Sequence, residues 1–239
     1  MTSKEMARRG RIGLLVLVIG GVLIVIALII AAIAQSSSPV AQNATPGVSQ
    51  SQLAETGLPL LGDPNAPIWL IEFSNFSCPG CAQYHPTMKQ IIEKHVTAGN
   101  AALVFAPMVF DYGEHPSYIA AQAALCAGKQ GKFLQMSDAL FEIHIKRGGR
   151  SFTLPVVQDA ARELSLDPEA LRACIAAEET RPIIANAAIL AAQVGLQYTP
   201  SLLYSRDGGK SWDWFTQANG ERYDAQVPFE VVDRLIAQR

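Results

Sequence analysis

The first feature of the hydrophobic pattern is a long apolar run. From Ile12 to Ala34, 23 consecutive residues carry no charged side chain, which exceeds the roughly 20 that a helix needs to cross a bilayer. Four basic side chains and one acidic one precede the run, and this positive excess predicts a cytoplasmic N-terminus at residues 1–11. We therefore expect a single-pass anchor at residues 12–34, with the rest of the chain outside the cytoplasm, at the cell membrane.

Cleavage of the same run as a signal peptide is the alternative. The residues Ala32-Ile33-Ala34 fit the small-residue pattern of a cleavage site. The apolar core of a signal peptide is only about 7 to 15 residues long, however, so the length favours an uncleaved anchor. Both alternatives export the remainder of the chain.

A polar stretch without hydrophobic periodicity follows the apolar run. Residues 35–61 are rich in Ser, Gln, Pro and Gly, and Glu55 is their one charged residue. This composition is typical of a flexible tether. We therefore predict a linker over 35–61 that joins the anchor to a folded domain at 62–239.

Short apolar runs and helical periodicity alternate within the folded part. Strands are predicted at Ile68–Phe73, Ala102–Ala106 and Ser201–Tyr204, and helices at residues 78–95, in several Ala-rich stretches within about 114–195, and at Pro228–Ala237. Strand, helix and strand, then a long run of helices, and finally a hairpin and a helix predict an α/β fold with an inserted helical subdomain.

Charge and cysteine content narrow the classes of function. The net charge is −2, and basic residues cluster only at the N-terminus, so we expect no nucleic-acid partner. Four cysteines in 239 residues are too few for a small scaffold built on disulfides. Any disulfide is therefore expected to serve chemistry or to act as a local crosslink.

The candidate chemistry lies at Cys78 and Cys81, at the junction of a buried strand and a helix. The positive end of a helix dipole lowers the pKa of a thiol at that place, so Cys78 is predicted as the attacking sulfur. A spacing of one helical turn allows Cys81 to close a reversible disulfide with it. Half of a zinc site is the alternative, but zinc needs four ligands and the chain has no second pair of this spacing.

Several further motifs accompany the cysteine pair in a fixed order. They are Gly62-Asp63-Pro64-Asn65-Ala66-Pro67, Glu72-Phe73, Cys126-Ala127, Gln130-Gly131-Lys132-Phe133 and Thr199-Pro200. Together with Cys78-Pro79-Gly80-Cys81 they resemble the exported DsbA-like group of thioredoxin-fold thiol oxidoreductases, over about residues 61–238. The resemblance implies a protein thiol:disulfide oxidoreductase with a thioredoxin-like fold and a helical insertion, and it implies no metal or organic cofactor.

The resemblance also implies a role for each matching residue. Cys78 is the nucleophile, Cys81 is its partner, and Pro200 is a cis-proline whose loop faces the disulfide. The backbone of Thr199 would then be free to pair with an extended substrate. Glu72 matches a buried acid that exchanges protons with Cys81, although a strand-end residue in solvent is the alternative.

Cys126 and Cys174 lie in predicted helices of the insertion. Several DsbA-like members carry a second disulfide in this region, so the resemblance implies a structural bond between these two residues, which an oxidising compartment would permit. Two buried free thiols that pack as small apolar side chains are the alternative.

Two departures from the group stand out. The dipeptide Pro79-Gly80 lacks the histidine of the best-known oxidants, which predicts a weaker oxidant. The hairpin from Leu202 to Asp224 is longer than is usual in the group and carries Trp212 and Trp214. A partner surface and a half-covered edge hairpin both fit this pattern.

The predicted function is disulfide donation to folding exported proteins by a membrane-anchored enzyme. The family implies reoxidation by a membrane quinone-linked oxidase of the DsbB or vitamin K epoxide reductase type. A reductase or isomerase of the same fold, kept reduced by a transmembrane electron donor, is the alternative. A binding domain without catalytic activity is a further alternative. The presence of Cys78, Cys81 and Pro200 argues against it.

Overall fold

A mixed sheet of six strands forms the centre of residues 47–238, the part of the chain that the computed structural model describes. The strands are β1 (Gln50–Gln52), β2 (Pro59–Leu61), β3 (Ile68–Ser74), β4 (Ala101–Pro107), β5 (Ser201–Ser205) and β6 (Asp213–Trp214). Their order in the sheet is β1-β2-β4-β3-β5-β6. β3 and β4 run parallel, with Glu72 beside Phe105, and the other neighbouring strands pair antiparallel.

Helices follow β3, β4 and β6 along the chain. They are α1 (Pro79–Ile91), α2 (Pro116–Lys129), α3 (Phe133–Arg147), α4 (Leu154–Glu163), α5 (Pro168–Ala176), α6 (Arg181–Gln193) and α7 (Phe229–Ala237). A π-helical turn, Ile92–Val96, extends α1, so the helical stretch predicted over 78–95 is observed. Helices α2 to α6 lie between β4 and β5, and they form the predicted insertion in an α/β fold of the thioredoxin type.

The two faces of the sheet bury separate apolar clusters because side chains alternate along a strand. Leu70 of β3 belongs to the cluster shared with α1, α7 and the insertion. Its neighbours Trp69 and Ile71 belong to a cluster on the other face, against α6 and Leu58. All seven residues of β3 and of β4 are buried. These two fully buried strands therefore form the centre of a sheet that is covered on both sides.

The predicted linker extends too far along the chain. β1 and β2 fall inside residues 35–61, and Leu58, Leu60 and Leu61 are buried. The prediction is wrong for residues 50–61 because strands of three residues are too short to show a hydrophobic period. The cytoplasmic N-terminus and the anchor, predicted at 1–11 and 12–34, lie outside the described residues. No helix within 47–238 is long and apolar enough to cross a membrane.

The hairpin that follows β5 is partly covered by α6. Trp214 donates a hydrogen bond from its indole Nε1 to the Val194 carbonyl oxygen at 3.1 Å. The guanidinium of Arg222 lies over the Trp214 ring, 4.4 Å from its centroid. These contacts agree with the half-covered edge hairpin, since the indole is held from within the domain.

The helical insertion contains a disulfide. Cys126 of α2 is bonded to Cys174 of α5, 48 residues further along the chain, with a Cα–Cα distance of 6.0 Å. Both residues belong to the larger apolar cluster. The bond therefore connects α2 and α5 at a buried position.

We predict that the variant C126A/C174A loses stability and keeps thiol exchange. In the chain-entropy model, closing a loop of this length contributes at most about 4 kcal/mol. Thermal unfolding of the variant should therefore begin at a markedly lower temperature, while its rate of insulin reduction at 20 °C stays at the wild-type value. A variant with unchanged unfolding, or with lost activity in the folded state, would contradict this role.

Candidate active site

The Cys78–Cys81 pair lies where the chain leaves β3 and enters α1. Cys78 is the N-cap residue of α1, and Pro79 occupies the first turn, where a fixed φ and a missing N–H cost nothing. Cys78 is partly exposed, and Cys81 is fully buried. Neither cysteine is bonded to another sulfur in the structure.

Backbone groups contact each sulfur. The N–H of Asn75 donates to Cys81 Sγ at 3.3 Å. Cys78 Sγ lies 3.5 Å from the carbonyl oxygen of Thr199, in the loop that precedes β5. The accessible sulfur therefore faces that loop, and the buried one is held by the chain before α1.

The two thiols differ strongly in acidity. The pKa of Cys78 is lowered to about 5, chiefly by a hydrogen bond from the Cys81 side chain. Burial opposes this, while the backbone of Cys81 and Gly80 and the side chain of Thr199 lower the pKa further. The same hydrogen bond, together with burial, raises the pKa of Cys81 well above its ordinary range. At neutral pH the exposed sulfur is therefore ionised and the buried one keeps its proton.

Glu72 lies in the middle of the sheet, between Phe105 of β4 and Leu202 of β5. Its side chain is 4% exposed, so the alternative of a residue in solvent is excluded. Burial raises its pKa to about 7, although Ser74 and His85 lower it. The acid therefore changes its charge close to neutral pH, which suits a group that exchanges protons.

The loop before β5 packs directly on the redox dipeptide. The Thr199–Pro200 peptide bond is cis. A Cβ atom added to Gly80 would lie 3.3 Å from Pro200 Cδ and 3.7 Å from the Thr199 oxygen. The structure thus brings Thr199 and Pro200 to Cys78, more than 100 residues away in sequence, as the resemblance implies.

The helical insertion holds the backbone that precedes Cys78. Ser77 donates from Oγ to the carbonyl oxygen of Gly149 at 2.7 Å, and His144 Nδ1 lies 2.7 Å from the oxygen of Phe76. A Cβ atom on Gly149 would lie 2.5 Å from the backbone carbonyl oxygen of Ser77, so only glycine fits at this position. These residues escape sequence analysis because lone His and Gly residues in a helical region have no distinctive pattern.

His85 connects α1 to the insertion. Its Nε2 lies 2.9 Å from Oδ1 of the buried Asp138, and its ring stacks on Phe141 with centroids 4.5 Å apart. These contacts fit a packing role better than a catalytic one. Among residues 47–238, no three His, Cys, Asp or Glu side chains come together in a way that could hold a metal ion. The zinc alternative therefore finds no ligand set in this part of the chain.

The chain belongs to the thioredoxin family, whose model, described as Thioredoxin, matches residues 55–208. Among solved structures, oxidised BdbD from Bacillus subtilis superposes with a TM-score of 0.62 at 20% identity, covering 80% of this chain and 97% of that one. A thioredoxin-like oxidoreductase from Silicibacter pomeroyi DSS-3 is 27% identical, with a TM-score of 0.56 and coverage of 74% and 91%. Wolbachia pipientis alpha-DsbA1 gives a TM-score of 0.62 at 23% identity, with coverage of 78% and 91%.

A curated relative matches over a shorter stretch. Over 79 residues the chain is 30% identical to the Na(+)/H(+) antiporter NhaA 1 of Salinispora arenicola (strain CNS-205), which is 33% of this chain and 12% of that protein. A match of that extent supports no inference about ion transport. The structural similarities confirm the predicted DsbA-like fold with a helical insertion, and they agree with the predicted class of enzyme, a protein thiol:disulfide oxidoreductase.

We predict that the reduced protein is alkylated at Cys78 long before Cys81. Iodoacetamide reacts with the thiolate, so the rate at Cys78 should rise with a midpoint near pH 5 and be level by pH 7. Peptide mass spectrometry after timed quenching measures both sites. In the variant C81A the midpoint should move upward, because the largest cause of the low pKa is removed. A midpoint above pH 8 in the wild-type protein would contradict the arrangement.

Proposed function

We propose that the protein is a membrane-anchored, extracytoplasmic thiol:disulfide oxidoreductase that donates its Cys78–Cys81 disulfide to exported proteins. The observation that carries this proposal is the place of Cys78, partly exposed at the N-cap of α1 and 3.5 Å from the Thr199 oxygen, where its pKa is lowered. A thiolate that is stable at neutral pH stabilises the reduced enzyme, and a stable reduced form makes the disulfide a better oxidant. At pH 7 this favours reduction by about tenfold to a hundredfold, after allowance for the screening of a half-exposed sulfur.

The first step is attack by a substrate thiolate on Cys78 Sγ of the oxidised enzyme. The Cys78–Cys81 bond breaks, a mixed disulfide forms at Cys78, and Cys81 leaves with the electron pair. Attack falls on Cys78 because Cys81 is fully buried. The Thr199 oxygen, 3.5 Å from Cys78 Sγ, marks where the backbone of an extended substrate would pair with the enzyme.

Protonation of Cys81 makes the first step favourable. Burial raises the pKa of this thiol, so the leaving sulfur takes up a proton. Glu72 is the acid that supplies it in this proposal, since its carboxyl is buried and has a pKa of about 7. Glu72 regains the proton from solvent after the substrate leaves.

The second step releases the oxidised substrate. A second substrate thiolate attacks the substrate sulfur of the mixed disulfide, and Cys78 leaves as a thiolate. The substrate has lost two electrons and two protons: the enzyme holds both electrons, Cys81 holds one proton, and the other proton enters the solvent. The low pKa makes Cys78 a good leaving group, which speeds this release.

The cellular setting of the proposal rests on the sequence and on the relatives. The uncharged run at residues 12–34 is long enough to span a bilayer. Among the similar structures, alpha-DsbA2 from Wolbachia pipientis is described as a thiol-disulfide exchange protein, which supports the same chemistry here. Reoxidation by a membrane quinone-linked oxidase of the DsbB or vitamin K epoxide reductase type completes the cycle.

The redox state of Cys78 and Cys81 in living cells tests this function. Cells that express the full chain are quenched with acid, and the trapped thiols are alkylated and counted by mass spectrometry. We expect both sulfurs to be oxidised, and the protein to be in the membrane fraction. A second sample is reduced and then treated with a membrane-impermeant maleimide, which should label Cys78 without lysis.

The double variant C78A/C81A is the control, because it keeps the Cys126–Cys174 bond and should gain no label. A pair that is reduced at steady state would favour the reductase or isomerase alternative. The absence of histidine in Pro79-Gly80 supports that alternative. Labelling only after lysis would contradict the extracytoplasmic location.

A further inference from the structure

The chain that returns from the long hairpin passes beside the redox site. This return segment comprises residues 224–227, between β6 and α7. Three hydrogen bonds attach it to the parts of the site: Ser201 Oγ donates to the Asp224 oxygen at 3.1 Å, Gln226 Nε2 to the Gly80 oxygen at 3.0 Å, and Tyr84 Oη to the Val227 oxygen at 2.7 Å. One short segment thus contacts the β5 end of the cis-proline loop, the redox dipeptide and α1.

The bond from Gln226 reaches the one peptide group that lies between Gly80 and Cys81. The carbonyl oxygen of this group accepts from the Gln226 amide, and its N–H is the Cys81 backbone donor that helps to lower the pKa of Cys78. A peptide group is planar and rigid. A donor on its oxygen therefore fixes the direction of its N–H and also polarises it, which strengthens the hydrogen bond that the N–H donates.

We propose that Gln226 is a positioning residue that sets the reactivity of Cys78 through the Gly80–Cys81 peptide group. Its side chain is exposed, so it contributes little to the apolar core, and its amide is a donor aimed at the first turn of α1. The proposal concerns the acidity of one thiol, and it holds for a net oxidase and for a net reductase alike.

Gly80 has no Cβ, and this lets the loop before β5 approach the redox dipeptide closely. A Cβ atom added to Gly80 would lie within 4 Å of Pro200, Thr199 and the Cys78 sulfur. The groups that shift the pKa of Cys78 are the Cys81 thiol, the backbone of Gly80 and Cys81, and the side chain of Thr199. Gln226 acts on one of these groups, and it lies in the return segment that follows the hairpin.

Two substitutions at this position test the proposal. Q226A removes the donor, and Q226E keeps the shape but replaces the donor with a carboxylate. We expect Cys78 in Q226A to be about a two- to tenfold weaker acid, which is the range of one modest hydrogen bond, and Q226E to show a larger change of the same sign. The ultraviolet absorbance of the thiolate, followed from pH 3 to 9, measures this acidity. Q217A, which removes an exposed glutamine from the hairpin that precedes the return segment, should match the wild type.

Equilibration with glutathione gives a second readout that a merely structural role would not move. A less stable thiolate disfavours the reduced enzyme, so Q226A should shift this equilibrium toward the oxidised form by the same factor as its acidity. The free energy of unfolding of the oxidised Q226A protein should equal that of the oxidised wild type. An unchanged Cys78 acidity in Q226A, beside a low wild-type pKa, would overturn the role of Gln226 alone. An ordinary pKa in the wild-type protein would overturn the proposed function.

Discussion

The unequal acidity of two sulfur atoms at the start of α1 is the feature on which the rest of the site depends. One hydrogen bond connects the Cys78 and Cys81 side chains, and it lowers the pKa of the first while it raises that of the second. The inequality needs one sulfur in contact with solvent and the other buried, because a thiolate without water or donors is costly. Cys78 at the N-cap and Cys81 one turn later meet this condition through the geometry of a helix end alone.

The surrounding fold keeps this geometry from several directions. The pair follows the C-terminal end of β3, and Glu72 on the same strand is buried. The insertion holds the chain before Cys78 through Ser77 and Gly149, while the loop before β5 covers Gly80. Each contact comes from a different part of the chain. The insertion and the loop before β5 therefore both contribute contacts that shape the redox site.

Local patterns in the sequence predict the parts of this site that depend on neighbouring residues. The strand-to-helix junction at Cys78 is visible as an apolar run that ends before a Cys-Pro-Gly-Cys motif, and the resemblance adds Glu72 and Pro200. The contact of Gln226 leaves no such sign, since Gln226 is 146 residues from Gly80 and any polar residue fits an exposed loop. β1 and β2 escape prediction for a related reason. Each has three residues, and pairing with a distant strand makes them strands.

The central claim is that ionised Cys78 stabilises the reduced protein, and the free energies of unfolding of the reduced and oxidised forms test it most directly. A disulfide across two intervening residues ordinarily favours the oxidised fold by about 2 kcal/mol. Here the folded pKa of Cys78 lies below that of an unfolded thiol. Its contribution is therefore fully present above about pH 9 and is lost as the pH falls through about 5. Urea unfolding between pH 4 and 9 should show the reduced form gaining on the oxidised form as the pH rises, and exceeding it by pH 8. An oxidised form that is more stable by the same amount at every pH would contradict the account.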